Sequence, residues 1–177
     1  SLLQAEFDTE NLGDLFRAWL RDGLWNATGE AFDVGMTTAE ALRRIAMGTP
    51  AEQAGGRNEH NNGNGSLMRI LPVALRFSDK HPRELATYLS RASSLTHGHK
   101  RSQMACAFYG VMVRNLVLGQ APEQALETTR SEFEELYKEE QEIKRFQSVL
   151  EDDFEALQES EVCSSGYVIH TLHASIW

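Results

Sequence analysis

Ala105-Cys106-Ala107-Phe108-Tyr109-Gly110-Val111-Met112-Val113-Arg114-Asn115-Leu116-Val117-Leu118-Gly119 is the stretch on which the fold turns. After Ala105, the large apolar side chains Phe108, Tyr109, Met112, Val113, Leu116 and Val117 recur at steps of three and four. That is the period of a helix, not the two-residue alternation of a half-buried strand. The spacing predicts a long buried helix with Gly119 as its stop, since glycine accepts the left-handed turn that ends helices. Pro122 then suits the first turn of the next helix, where its missing N–H is no loss.

Working outward, the same period recurs on both sides. Leu12, Leu15, Phe16, Trp19 and Leu20 form a stripe between a cap at Asp8 or Thr9 and Gly23. Ala41, Leu42, Ile45 and Ala46 form a shorter one, with Thr37 or Thr38 as cap and Gly48 as stop. Leu67, Ile70, Leu71, Ala74 and Leu75 make a third, and Pro82 opens a helix covering Leu85, Tyr88 and Leu89. Downstream, Phe133, Leu136, Ile143, Phe146, Val149, Leu150 and Leu157 keep helical spacing, and a last helix begins near Tyr167 on Val168, Leu172 and Ile176. With no convincing alternating strand, internal repeat or low-complexity linker, the expected fold is all-α, one unit over residues 1–177.

Composition is that of a soluble globular chain: 177 residues, 41% hydrophobic and 24% charged. No apolar run nears the roughly 20 residues of a membrane span, so no membrane partner is expected. Twelve of the 26 acids but three of the 17 bases fall in residues 131–161, and the 14 acids and 14 bases elsewhere balance. The net charge of -9 therefore belongs to one segment, read as a solvated helix face. An acidic chain without a basic surface argues against nucleic-acid binding. Cys106 and Cys163 are too few for a disulfide framework and lack metal-type spacing. A cytoplasmic, reducing setting is the expectation.

Residues 29–38 and 54–66 are rich in glycine, asparagine and threonine and read as loops, where function concentrates. In Asn62-Gly63-Asn64-Gly65-Ser66, glycine and asparagine both tolerate positive φ, so consecutive N–H groups could face one concavity as an anion nest. A helix starting near Ser66 would add its free amides and positive dipole end, and a diphosphate is the natural guest. The loop is neither a Walker A motif nor a dinucleotide fingerprint; a long polar turn with a serine cap is the plainer alternative.

Three further segments carry chemistry. His97, in Ser94-Leu95-Thr96-His97-Gly98-His99, could donate to phosphate or position water, or the segment could be a loop whose Thr96 caps the next helix. Asp33, followed by Gly35 and Thr37, fits a binding loop or a turn with an N-cap. Gly166-Tyr167 before the last helix could present a ring to a ribose or base, or bury it. His170 and His173 share a helix face, but two ligands without a third make a weak metal site. No pair of acids stands out as the carboxylate dyad of most glycoside hydrolases.

Four motifs, in order, resemble the ADP-ribosylglycohydrolase family, which includes the dinitrogenase reductase-activating enzymes. They are Asp33-Val34-Gly35-Met36-Thr37-Thr38, Asn62-Gly63-Asn64-Gly65-Ser66-Leu67-Met68-Arg69-Ile70-Leu71-Pro72, Leu95-Thr96-His97-Gly98-His99-Lys100-Arg101-Ser102, and Ser165-Gly166-Tyr167 through Trp177. The second is the most specific. The resemblance implies orthogonally packed helices, a cleft for ADP-ribose, and two Mg2+ or Mn2+ ions beside the distal ribose. It implies hydrolysis of the bond between ADP-ribose and an acceptor on an ADP-ribosylated substrate. Asn62, Gly63, Asn64, Gly65, Ser66 and Met68 would cradle the diphosphate and nearby ribose, His97 would approach the phosphates, and Gly166 and Tyr167 would line the nucleoside pocket. Asp33 and Thr37 are further candidates.

The aspartate motifs that hold metal in the family do not occur here; the only Asp-Asp, Asp152-Asp153, lies in the acidic segment. The chain is therefore expected to be a central part, incomplete at both ends, of a longer enzyme. It would bind the nucleotide but not turn it over alone. A non-catalytic nucleotide-binding module and a purely structural helical protein are the competing readings.

Overall fold

The computed structural model describes residues 7–177. The helices are α1 (Thr9–Asp22), α2 (Met36–Ala46), α3 (Ala51–Ala54), α4 (Leu71–Arg76), α5 (Pro82–Ser94), α6 (Lys100–Val117), α7 (Pro122–Tyr137), α8 (Gln147–Glu151) and α9 (Val168–Ile176). Short 3-10 turns cover Glu59–Asn61, Leu67–Arg69, Gln141–Phe146 and Glu159–Glu161. Among the described residues there is no sheet, only two isolated bridges, Gly56 with His97 and Gly63 with Tyr167. The all-α expectation holds, and no helix among the described residues is long and apolar enough to cross a membrane.

Helix α6 is the central element, as its sequence predicts. Met104, Ala105, Cys106, Ala107, Phe108 and Val111 are completely buried. Helices α4, α5, α7 and α9 pack around it. Along the α5–α6 contact, Gly110 lets the helices close up: a Cβ there would stand 2.3 Å from Leu89 Cδ1. Phe133 of α7 completes the far side, with ring centroids 5.2 Å from Phe108 and 5.0 Å from Phe146. A smaller core joins α1, α2 and α3 through Ala41, Leu42, Ile45, Ala51, Ala54 and Leu95. Leu95 lies one residue before Thr96 and His97, so the site segment leaves directly from packed structure.

Most helix ends fall where the residues predict. The Asp8 carboxylate caps α1, accepting from Asn11 N at 3.0 Å, and Gly23 closes it in the left-handed region at φ 66°. Gly119 takes φ 89° just beyond α6, and Pro82 and Pro122 start α5 and α7. Three expectations are corrected. Helix α2 begins at Met36 with Gly35 as a cap that has no side chain to accept from the first amides, so Thr37 and Thr38 lie inside the helix. Helix α6 is capped by His99, whose Nδ1 accepts from Arg101 N at 3.2 Å, and not by Thr96. No α-helix starts at Ser66: residues Leu67–Arg69 form a 3-10 turn, and α4 begins at Leu71. Pro72 explains the last point, because an α-helix running through it needs an N–H that proline lacks.

Candidate functional site

Residues 55–66 are strapped at both ends. At the first, Gly55 N donates to Ser94 O at 2.9 Å, Gly56 N to Thr96 O at 3.2 Å, and Gly98 N to Gly56 O at 2.9 Å. At the second, Asn64 N donates to Gly166 O at 2.9 Å and Val168 N to Asn62 O at 3.0 Å. The motifs singled out around His97 and Gly166 thus meet in one place, on either side of the loop.

The asparagines act as anchors. Asn62 is buried; its Oδ1 accepts from Ser102 Oγ at 3.0 Å, and its Nδ2 donates to Glu59 O at 3.0 Å. Asn64 Nδ2 donates to Thr171 Oγ1 at 2.9 Å. Ser66 is also fully buried, with Ser93 Oγ 3.0 Å and Cys106 Sγ 3.5 Å from its hydroxyl.

The loop differs from the expected nest. Among the described residues, positive φ is confined to Trp25, Asp33, Gly23, Gly29, Gly48 and Gly119, so no left-handed residue occurs between 55 and 66. What the loop does present is a pair of amides: neither Gly63 N–H nor Gly65 N–H has a hydrogen-bond partner among the described residues. Glycine is needed here for approach and not for φ. A Cβ on Gly65 would stand 2.9 Å from His97 Cε1, 3.4 Å from His97 Nε2 and 3.5 Å from Thr38 Oγ1.

His97 lies directly under this loop. Its ring is 2% exposed. Nδ1 is 2.7 Å from Thr96 Oγ1, while Nε2 has no partner among the described residues. Burial, and secondarily the nearby positive charge of Arg69, push its pKa down to about 4, so the ring is neutral at pH 7. Arg69 is the residue that composition could not flag. Its NH1 donates to Gly65 O at 2.8 Å and its NH2 to Thr96 Oγ1 at 2.6 Å, with the Phe16 ring 5.1 Å away. No carboxylate pairs with it among the described residues. Desolvation lowers its pKa to about 10, which leaves it charged.

Next to the loop, Gly166 is exposed and Tyr167 half-buried at the start of α9. The Tyr167 ring is held edge-on to His170 at 4.9 Å and lies 5.8 Å from the Arg101 guanidinium. Met68 is 69% exposed. Asp33 is exposed and has φ 52°, in the left-handed region that aspartate adopts more readily than most side-chain-bearing residues. Thr37 is half-buried in the first turn of α2, next to the Thr38 that reaches Gly65.

Arg101 is the main electrostatic tie. Burial works against its charge, but the Glu59 and Glu142 carboxylates outweigh that and raise its pKa. It bridges Glu59 (2.7 and 3.2 Å) and Glu142 (2.8 Å). Glu59, His99 and Glu142 are also the one group among the described residues whose ligand atoms lie close enough, within 4.8 Å, to share a metal ion. They do not fit a Mg2+ or Mn2+ site as they stand, because the Arg101 guanidinium already occupies oxygens of both carboxylates. His170 and His173 do not converge on a common ion either: His170 Nδ1 is 2.8 Å from Ser165 Oγ and 3.2 Å from Cys163 Sγ, while His173 Nε2 pairs with Asp152 at 2.8 Å.

An all-α domain in which a buried neutral imidazole lies beneath a loop bearing two unpartnered glycine amides is a candidate anion-binding domain. Comparison with known proteins gives the family. The sequence matches the ADP-ribosylglycohydrolase family over residues 1–177, and the chain belongs to it. It is similar to the ADP-ribosylarginine hydrolase Tri1 of Serratia proteamaculans, at 26% identity over 90% of this chain and 40% of that protein. It is 32% identical to the ADP-ribosyl-[dinitrogen reductase] glycohydrolase of Rhodospirillum rubrum, over 63% of this chain and 35% of that protein. The Tri1 of Pseudomonas putida is 24% identical over 98% of this chain and 44% of its own length. The chain thus spans less than half the length of these relatives.

Proposed function

We propose that this chain is the nucleotide-holding part of a hydrolase that cleaves the glycosidic bond between ADP-ribose and an acceptor. The observation that carries this reading is that Gly63 and Gly65, whose N–H groups have no partner among the described residues, lie beside the partnerless His97 Nε2 in a member of this family. Three neutral donors at a loop strapped at both ends suit diphosphate oxygens. Tyr167, with Gly166, would offer its ring to the ribose or adenine, and exposed Met68 and Asp33 and half-buried Thr37 are further candidates for nucleotide contact. Asn62, Asn64 and Ser66 hold the loop from behind.

Binding the diphosphate far from the reacting bond positions that bond, which is how remote contacts lower a barrier. The Mg2+ or Mn2+ ions belong to the parent enzyme and are assigned to no residue of this chain. Because two relatives are named for ADP-ribosylarginine and the third for dinitrogen reductase, we infer an ADP-ribosylated protein side chain, arginine first, as the substrate, in a reducing cytoplasm. The test is release of free ADP-ribose from an ADP-ribosylated arginine by the full-length protein with Mg2+ or Mn2+. Release that a chelator abolishes is the expected result, and no release from any ADP-ribosylated side chain would overturn it. A second reading is a module that binds without turnover; tight ADP-ribose binding with no release would establish it.

A further inference from the structure

We propose that Arg69 and Thr96 are positioning residues that fix His97 as the tautomer with its proton on Nε2, so that it meets the ligand only as a hydrogen-bond donor. This rests on the ADP-ribose reading for the ligand, but the tautomer itself follows from the hydrogen bonds alone.

A guanidinium has donors and no acceptor. At 2.6 Å from Arg69 NH2, the Thr96 hydroxyl oxygen must therefore accept. Thr96 is completely buried, and its hydroxyl proton needs an acceptor of its own. Among the described residues its only other hydrogen-bond partner is His97 Nδ1, at 2.7 Å. If Nδ1 carried the proton, the hydroxyl would receive two donors and its own hydrogen would be buried unpaired, which is the unfavourable arrangement. Nδ1 therefore accepts. The ring is neutral at pH 7, so its single proton sits on Nε2. That atom is the one facing the loop, in contact range of the space beside Gly65 and Gly63. Arg69 also holds Gly65 O at 2.8 Å. One side chain thus sets both the direction of the imidazole donor and the position of the peptide whose amide it works beside.

The consequence is a selection rule. With Nε2–H and the two glycine amides all donating, the subsite takes a group that only accepts, such as a phosphate ester or diphosphate oxygen, and rejects one that must donate.

The test is nitrogen NMR of the full-length protein labelled in histidine, which separates protonated from unprotonated ring nitrogens, combined with calorimetric titration of ADP-ribose. The expected spectrum at pH 7 has an unprotonated Nδ1 and a protonated Nε2 for His97. Thr96→Ser should keep that spectrum and the affinity. Thr96→Val should give a mixed or reversed tautomer and bind ADP-ribose roughly tenfold to a hundredfold more weakly. Arg69→Met should also release the tautomer, because Thr96 is then free to accept from Nδ1. A wild-type His97 protonated on Nδ1, or a Thr96→Val protein whose tautomer is unchanged, would overturn the proposal even if ADP-ribose binds. The expected tautomer in a protein that ignores ADP-ribose would leave the relay intact and remove the ADP-ribose reading. Thermal unfolding of each variant identifies any that fail to fold; for those, the wild-type spectrum decides.

Discussion

The side-chain amide of Asn64 donates to the Thr171 hydroxyl at 2.9 Å, joining positions 107 residues apart. This bond and the backbone bridge beside it tie the glycine loop to the first turns of α9. Thr171 also donates to Ser165 O at 3.1 Å, holding the approach to Gly166 and Tyr167. Thr171→Val should therefore cost about 1 kcal/mol of stability and weaken ADP-ribose binding about three- to tenfold, since both walls of the opening lose one anchor. Chemical denaturation and calorimetry on the same preparation check the two numbers. Unchanged affinity with lowered stability would mean that the α9 end is remote from the ligand.

His97 makes stability depend on pH in a defined window. Its pKa is about 4 in the folded chain against 6.5 for the free side chain. Between those values the unfolded chain binds a proton that the folded chain refuses, so stability rises with pH across the window and is lost as pH falls through it. No stability is lost above about pH 6.5, and the loss amounts to roughly 3 kcal/mol once pH reaches 4. Urea unfolding from pH 4 to 7 should show that slope, and His97→Asn should flatten it. A slope that survives the substitution would assign it to other groups.

Gly110 provides a control away from the site. Its absent Cβ is what lets α5 lie against α6, with Leu89 Cδ1 2.3 Å from where that atom would be. Gly110→Ala should destabilise the chain by about 1 to 3 kcal/mol through overpacking and leave ADP-ribose affinity within about twofold. A large loss of affinity in the folded variant would mean that the site and the α6 core are coupled.

The helices were legible because their apolar stripes, prolines and terminal glycines act locally. The long helix around Phe108, the starts at Pro82 and Pro122, and the stop at Gly119 each follow from a few adjacent residues. The start of α4 was less visible because Pro72 turns the preceding residues into a 3-10 turn, a competition that an apolar stripe does not reveal. At the site, the sequence pointed to the right segments and to a different local geometry. Glycine next to asparagine suggested left-handed backbone, whereas Gly65 is demanded by a ring approaching from 32 positions away. Arg69 and Thr96 stood inside motifs already noticed, but only tertiary contact gives them a role. Likewise, nothing near Ser102 in the sequence indicates that it holds Asn62.

The central claim is that the Asn62 to Ser66 loop and His97 together bind the diphosphate of ADP-ribose, and Gly65 tests it most directly. Calorimetric titration of ADP-ribose into full-length wild type and Gly65→Ala compares the loop with and without one added methyl group, 2.9 Å from His97 Cε1. Saturable one-to-one binding by the wild type is expected, with affinity at least about tenfold weaker in the folded variant, a difference near 1.4 kcal/mol. No binding by the wild type, or equal binding by a folded Gly65→Ala protein, would contradict it.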